Sequence, residues 1–503
     1  MKQKRALFKQ TDQGETVEYP KPNRVTRRVT GTARLWDCFD ASLEASQSIL
    51  LSLEKRIILL KEDGVFKSVP QQKAFKMAED IEDKQLRLYL KKTVGIRALL
   101  FKHEFHFMEE ERVVENHFGK TLFRLHHWVL SKDDRAFNLI QVFPLKGYEK
   151  AARSYANQLR KKDWLCCKGL PVKHFFTYMK VSSRHKVKHK FPEFSARERS
   201  GYVVPLICHH LIDTIKVNTP GIIEDIDTEF THDFRIASRI SRSILKQMKK
   251  AISPELLEKG QSYLSNLGKI TNPLRDCDVY LLDKAHYYSL LPDTNRKYLT
   301  PFFQYIQKKR KTAWQNVVDY LESDDFQQDT QEWRQALISA MNELQLPDFH
   351  GSAASGKPIG SYAAQRIRKR LYLILEEGRA IHESTPDEAL HELRISCKKL
   401  RYLLDVFKPL YDSSLKILIK KLKKLQTVLG DFNDLSVQQE FFKDYSKTLS
   451  KSMKNRDEVL IAIGMLLAKF RDKQMQLRQD FSKEFESFCS SESILLDALQ
   501  DDT

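Results

Sequence analysis

The chain has 503 residues, 41% of them hydrophobic, with 85 Lys and Arg against 66 Asp and Glu and a formal net charge of +19. That length implies more than one domain, the hydrophobic share excludes a disordered polycation, and the charge favours an anionic partner without naming it. The seven cysteines are odd in number and scattered without a CxxC pair. They give no sign of a disulfide framework or a zinc site and fit a reduced, cytoplasmic chain.

Residues 1–28 are polar, contain Pro20 and Pro22 and show no hydrophobic period, which predicts a mobile tail. The opening MKQKRALFKQTDQGE lacks the apolar stretch of a secretory signal, and the longest clean apolar run, Val459 to Ala468, is too short to span a bilayer. No membrane partner is expected.

From residue 29 to 183 the texture is short and strand-like, as in SILLSLEKRIILLKEDG, KTLFRLHHWVL and NLIQVFPLKGYEK, broken by Lys-Glu-Asp-Gly and Asp-Asp turns. Lys120, Leu122, Arg124, His126 and Trp128 alternate with Thr121, Phe123, Leu125, His127 and Val129, so one face adds a basic ladder to its apolar residues. Two readings are open: a curved or closed sheet with a charged interior, or a half-buried strand with solvated basic groups.

A basic join at 184–194 precedes long amphipathic segments with a 3.6-residue period over 195–490, and an acidic tail follows at 491–503. The stretch LPDFHGSAASGKPIGS (346–361) divides the helical region into halves of about 195–345 and 360–490. Within it, GSAASGKP matches a phosphate-cradling loop up to the last position. That loop needs a Ser or Thr hydroxyl for magnesium after its lysine, and Pro358 stands there instead. A flexible connector is expected.

The two halves repeat each other. HDFRIASRISRSILKQM (232–248) aligns without a gap with HELRISCKKLRYLLDVF (391–407), an offset of 159 (391 − 232). Downstream, LGKITNPLRDCDV (267–279) answers LGDFNDLSV (429–437). Two related bundles, each opened by such a helix, are the expected architecture. At about 100° per residue, positions 0, 3, 7 and 10 from each histidine fall within about 80° of arc. His232, Arg235, Arg239 and Arg242 therefore form one stripe, and His391, Arg394, Lys398 and Arg401 its twin. Phe234, Ile240, Ile244, Leu245 and Met248, and likewise Leu393, Leu400, Leu403, Leu404 and Phe407, lie opposite.

A solvated helix face usually mixes charge signs, whereas these stripes hold no carboxylate and repel themselves by a few tenths of a kcal/mol per pair. Two copies of one unfavourable pattern suggest an external anion. Arg366, Lys369 and Arg370 share a face further along, and Lys416, Lys420, Lys423 and Lys424 cluster opposite Leu418, Leu422, Leu425 and Leu429. With Lys399 and Tyr402 these residues describe a long positive groove. Arginine forks and lysine point charges suit phosphate. Single-stranded nucleic acid would call for interleaved aromatic residues, and only Tyr402 is present. The expected ligand carries phosphates and no bases.

The paired histidine helices, with the following LG…RDCDV and LG…NDLSV, resemble the CHAD domain over about 195–490. The resemblance implies a helical module with an internal pseudo-twofold that binds inorganic polyphosphate in a central basic groove. That groove would be lined by the two stripes. The first copy departs by carrying Ile240 opposite Lys399 and by lacking a cluster like 416–424, so binding would lean on the second half.

The N-terminal stretch TARLWDCFDASLEASQSILLSLEKRIILLKEDG, with GKTLFRL and FPLKGYEK, resembles the CYTH domain, the tunnel-barrel fold of triphosphate hydrolases, over 29–183. Such chemistry needs an E-x-E-x-K strand that aims two carboxylates into one tunnel to hold magnesium. Glu15 and Glu18 are three apart and fall on opposite strand faces, while Glu109 and Glu111 alternate suitably and Arg112, Lys120 and Arg124 could meet phosphate.

The expected fold is therefore α+β: an antiparallel, barrel-like CYTH-like domain with catalysis lost, then an all-α CHAD-like domain. The expected function is cytoplasmic, non-catalytic polyphosphate binding, at polyphosphate granules, without a cofactor. Alternatives are a hydrolase using Mg2+ in the barrel, or a binder of nucleic acid or inositol phosphates. Oligomeric state is open.

Overall fold

The computed structural model describes residues 6–11, 23–62, 67–161, 164–167, 171–182, 191–343, 352–411 and 415–490. The chain divides into two compact units, Met1–Lys188 and His189–Thr503.

Among the described residues, the first unit is built on nine strands: β1 (Ala6–Thr11), β2 (Asn23–Asp37), β3 (Ser48–Leu53), β4 (Arg56–Lys61), β5 (Lys67–Pro70), β6 (Leu100–Glu115), β7 (Thr121–Lys132), β8 (Arg135–Pro144) and β9 (Leu165–Cys167). Their order in the single sheet is β5-β4-β3-β2-β6-β7-β8-β1-β9, with every pair antiparallel. Four helices accompany it: α1 (Ser42–Ala45), α2 (Lys84–Val94), α3 (Glu149–Lys161) and α4 (Val172–Tyr178).

Local chemistry sets the turns. Asp133, with φ at 53°, allows a two-residue hairpin between Lys132 and Arg135. Asn116 accepts from the amides of Phe118 and Lys120 at 3.0 Å each, and Gly119 takes the left-handed φ of 74° that closes the turn before β7.

Alternation then sorts the side chains. Phe123, Leu125, Ile140 and Val142 pack outward against Tyr155, Ala156 and Leu159 of α3. A second outer cluster joins Leu50, Ile57 and Leu59 to Leu86, Leu90 and Val94 of α2. Leu35, Leu51, Ile58, Phe107, Leu130 and Leu139 face the other way and meet Phe175 and Phe176 of α4. Residues from six strands share this inner cluster, so the sheet curls around it.

The first 28 residues depart from the expected tail. β1 lies between β8 and β9, and β2 begins at Asn23. β1 is paired through its backbone with a strand on each edge, and that pairing leaves no mark in composition. Glu15 and Glu18 lie outside the described residues, as does the acidic tail 491–503.

The second unit is helical: α5 (Ser200–Ile223), α6 (Thr228–Gln247), α7 (Pro254–Leu282), α8 (Lys284–Ser289), α9 (Asp293–Arg296), α10 (Thr300–Leu321), α11 (Asp324–Glu343), α12 (Ile359–Arg379), α13 (Asp387–Phe407), α14 (Leu415–Thr448) and α15 (Arg456–Cys489). Asp227 caps α6 by accepting from the Glu229 amide at 2.9 Å, and Ser253 caps α7 ahead of Pro254 at its first position. Each histidine helix packs between its neighbours, α6 between α5 and α7, α13 between α12 and α14. α10 and α11 complete the first run and α15 the second, and the runs meet where α6 packs on α13.

The halves are not separate cores. Tyr280, Tyr287, Phe302 and Phe303 of the first pack with Phe442, Tyr445, Ile463 and Phe470 of the second.

The connector is also less free than its composition suggests. The Ser200 and Gly201 amides donate to Lys357 O (2.8 Å) and Ser355 O (3.0 Å), while the Ile359 and Gly360 amides donate to Glu198 O (2.7 Å) and Ala196 O (2.9 Å). Backbone pairing holds this polar segment, and composition does not report that.

Candidate functional site

The buried faces of the histidine helices fall where the 3.6-residue period puts them. Phe234 and Ile244 of α6 and Leu393, Leu400, Leu403, Leu404 and Phe407 of α13 are all fully buried. The basic stripes therefore stand on the sides left over, and the packing of α6 on α13 decides which of their members meet.

Arg239 of α6 lies close enough to Arg394 and Lys398 of α13 to act on both. Burial first, then Arg394 and Arg239, bring the Lys398 ammonium down to about 8 from an ordinary 10.5. Arg394 is lowered by burial, against the attraction of Asp434, with Arg239 adding to the fall. Three cations from two helices thus share a partly desolvated place, where like charge without a counter-ion is unfavourable.

The two stripes are not equivalent. Arg235 is wedged against α7, donating to Gly268 O at 3.5 Å, Thr271 Oγ1 at 3.2 Å and Asn272 Oδ1. Burial, then Arg239, lower it to about 10. All three contacts run through Nη1, which ties this end of the guanidinium to α7. Arg394 makes one ion pair, with Asp434 at 3.0 Å. The His391 imidazole meets Asn433 Oδ1 through Nδ1, and Arg401 donates to Gln426 Oε1 at 3.2 Å and Asp405 Oδ2 at 3.4 Å. His232 and Arg239 are half-buried and Arg242 is exposed.

A second basic group forms beside Lys399. One residue on from Lys398 and so about 100° round the helix, Lys399 is lowered by burial and then by Arg370 and Lys246. Arg370 is lowered by burial and then by Arg366. Gln247, at the end of α6, links them: it donates to Lys399 O at 3.0 Å and accepts from Arg370 Nε at 3.1 Å.

Lys369, Lys416, Lys420, Lys423 and Lys424 are exposed, and Tyr402 is half-buried. On α14, Lys416 and Lys423 stand 18 and 11 residues before Asp434 (434 − 416, 434 − 423), which puts them within about 20° of its direction. These two continue the side of α14 that carries Asp434, and Lys424 turns away from it. The acceptors Asn272, Asn433, Asp434, Gln247 and Gln426 went unnoticed in the sequence. The signal for Asp434 was the recurrence of Asp276 and Asp434 in the LG motif copies.

In the first unit, the concave side of the sheet holds a cavity of about 530 Å³ lined by Arg27, Lys55, Arg56, Glu109, Glu111, His126, Trp128 and Gln141, among others. Glu109 and Glu111 enter it together, as their alternation requires. Glu109 accepts from Arg56 at 2.6 Å and from Trp128 Nε1 at 3.1 Å, and Glu111 lies 3.6 Å from Arg27 and 3.9 Å from His126.

The basic residues expected beside them are elsewhere. Arg112 falls one position from Glu111, on the opposite face, where it binds Glu110 at 2.7 Å and Asn23 at 2.6 Å. Lys120 and Arg124 are exposed, and Lys120 sits over the Tyr148 ring. Neither is among the lining residues. Arg27, Lys55 and Arg56 take their place. Both Glu109 oxygens serve protein donors, and no group of three or more His, Cys, Asp or Glu placed to hold a metal ion occurs among the described residues.

Duplicated histidine helices, each with a basic stripe, define a two-run helical module. The model of the CHAD domain family matches residues 206–443. The helical unit contains a CHAD domain.

Two solved structures are similar. The CHAD domain from the plant Ricinus communis is 22% identical with a TM-score of 0.49, covering 60% of this chain and 96% of that one. PptA from Streptomyces chartreusis is 13% identical with a TM-score of 0.42, covering 57% of this chain and all of that one. No curated protein matches. No helix among the described residues is long and apolar enough to cross a membrane.

Proposed function

We propose that the helical unit binds linear inorganic polyphosphate, without catalysis, along the basic side of the α6–α13 contact. The observation that carries this reading is the meeting of Arg239, Arg394 and Lys398 from two helices, with Lys398 down at about 8. A fold that holds like charges together out of water is relieved by a multivalent anion, and phosphate oxygens suit both the guanidinium forks and the ammonium. Lys416 and Lys423 lengthen the path on one side, and Arg366, Arg370 and Lys399 offer a second group of cations. Among the residues of the basic stripes only Tyr402 is aromatic, which favours a polymer without bases to stack.

The first unit serves as an accessory anion-binding body, and hydrolysis is disfavoured there because Glu109 is engaged by Arg56 and Trp128. The setting we propose is cytoplasmic, at polyphosphate granules. The test is long-chain polyphosphate binding by the full chain, against Arg394→Glu combined with Arg401→Glu, with circular dichroism to establish that the variant is folded. Tight binding that drops at least a hundredfold supports the reading. A folded variant that binds like the parent refutes it, and displacement by RNA at equal phosphate concentration makes the groove a nucleic-acid site.

A further inference from the structure

The repeated LG motif places an aspartate beside each basic stripe, Asp276 on α7 and Asp434 on α14. Their situations differ. Asp276 is raised by burial and attracted mainly to Arg235, whose hydrogen bonds already run to α7. Asp434 donates nothing to the core: its side chain is 60% exposed, while that of its partner Arg394 is only 15% exposed. The contact is a single bond, Arg394 Nη2 to Asp434 Oδ1 at 3.0 Å, with Asn433 Nδ2 at 3.4 Å from the same oxygen. Arg394 Nε is buried without an acceptor. A guanidinium able to form a two-pronged contact therefore holds one prong of an exposed carboxylate.

We propose that Asp434 is a tethered competitor for the anion site. It occupies the position on Arg394 that a phosphate group takes in the complex, and it swings into solvent when polyphosphate binds. This inference rests on the polyphosphate reading and assigns that site a selectivity device. A ligand that engages Arg394 alone gains little by replacing one anion with another. A chain that also reaches Arg239 and Lys398 gains those contacts as well and displaces the carboxylate. The cost of displacing Asp434 is the same for both, so it acts as a threshold that a polymer clears with its further contacts and an isolated small anion does not.

Asp434 faces Arg394 and Lys398 from α13, Asp431 and Asn433 on its own helix, and Tyr280 and Tyr287 from α7 and α8, and it lines a cavity together with Lys469 and Lys473 of α15. Asp431 sits about one turn away, is raised by burial and then by Asp434, and is drawn back down by Lys473 of α15. It supplies the control for net charge.

The experiment measures tripolyphosphate and long-chain polyphosphate binding to the full chain at fixed pH and salt, in the parent, Asp434→Asn, Asp434→Ser, Asp431→Asn, Arg394→Gln and the Asp434→Asn/Arg394→Gln double variant. The expected result is a two- to fivefold gain in affinity in both Asp434 variants, the range of an exposed ion pair. Asp431→Asn gains less, and the Asp434→Asn gain disappears once Arg394 is Gln. A loss or no change in the Asp434 variants overturns the inference and makes Asp434 a positioning group for Arg394. A gain that survives in Arg394→Gln, or that Asp431→Asn matches, overturns it in favour of simple net charge. A parent that binds neither ligand defeats the functional reading itself, and this inference with it.

Discussion

Lys398 provides the sharpest test of the groove, because its depressed pKa ties anion binding to proton uptake. Its ammonium titrates near 8 in the free protein, held down by burial and by Arg394 and Arg239. A phosphate chain lying against it supplies the missing counter-charge and moves the pKa back up, so binding takes up a proton wherever free Lys398 is neutral. The sign follows: affinity is full below about pH 7 and falls as pH rises through 8. Free Lys398 is roughly nine-tenths protonated at pH 7 and one-tenth at pH 9, so affinity drops about tenfold, about 1.4 kcal/mol, across that interval.

Calorimetry at constant ionic strength, repeated in two buffers of different ionisation enthalpy, reads this directly. About half a proton is taken up per site at pH 8, midway through the titration. Lys398→Arg keeps the charge at every accessible pH and flattens the profile, while titration of the chain ends of the ligand affects parent and variant alike. If Lys398→Arg retains the parent's slope, or if no proton is taken up, Lys398 does not touch the anion and the groove has been placed wrongly.

The two stripes should separate in function. Arg235→Ala, which strips α7 of a buried donor, lowers stability by about 1–3 kcal/mol in denaturant titrations and changes polyphosphate affinity less than threefold. Arg394→Ala does the reverse, weakening binding at least tenfold with a smaller loss of stability. Polyphosphate affinity in the parent falls steeply and linearly on a log–log salt plot, and Arg394→Glu with Arg401→Glu makes the slope shallower because fewer counter-ions are released. In the first unit, Glu109→Ala leaves Arg56 as an uncompensated, largely buried charge. It should destabilise that unit by about 3 kcal/mol in chemical unfolding, and an unchanged midpoint would show that Arg56 finds solvent instead.

The helical half was open to reading because its information is local. A 3.6-residue period, a gapless repeat and a carboxylate-free stripe are properties of single helices, and they put His391, Arg394, Lys398 and Arg401 on one side of α13 and Leu393, Leu400 and Leu403 on the other before any packing is known. Glu109 and Glu111 were likewise paired by strand alternation alone. What alternation cannot supply is the partner across a curved sheet: Arg56 reaches Glu109 from a strand 53 positions away in sequence. Arg112, adjacent to Glu111, faces the other side, since one residue reverses the face of a strand. β1 escaped for a related reason, being held by edge hydrogen bonds that leave no mark in composition.

Tertiary structure alone decided that Arg239 meets Arg394 and Lys398, that Arg235 is spent on α7, and that Asp434 stands against Arg394. Helix periodicity determines the direction of a side chain about its own axis, whereas contact between axes depends on how the apolar faces of α6, α7, α13 and α14 settle against one another. The stripes were written in the sequence; the packing of those faces made the two unequal and set the more exposed of their carboxylates, Asp434, against Arg394.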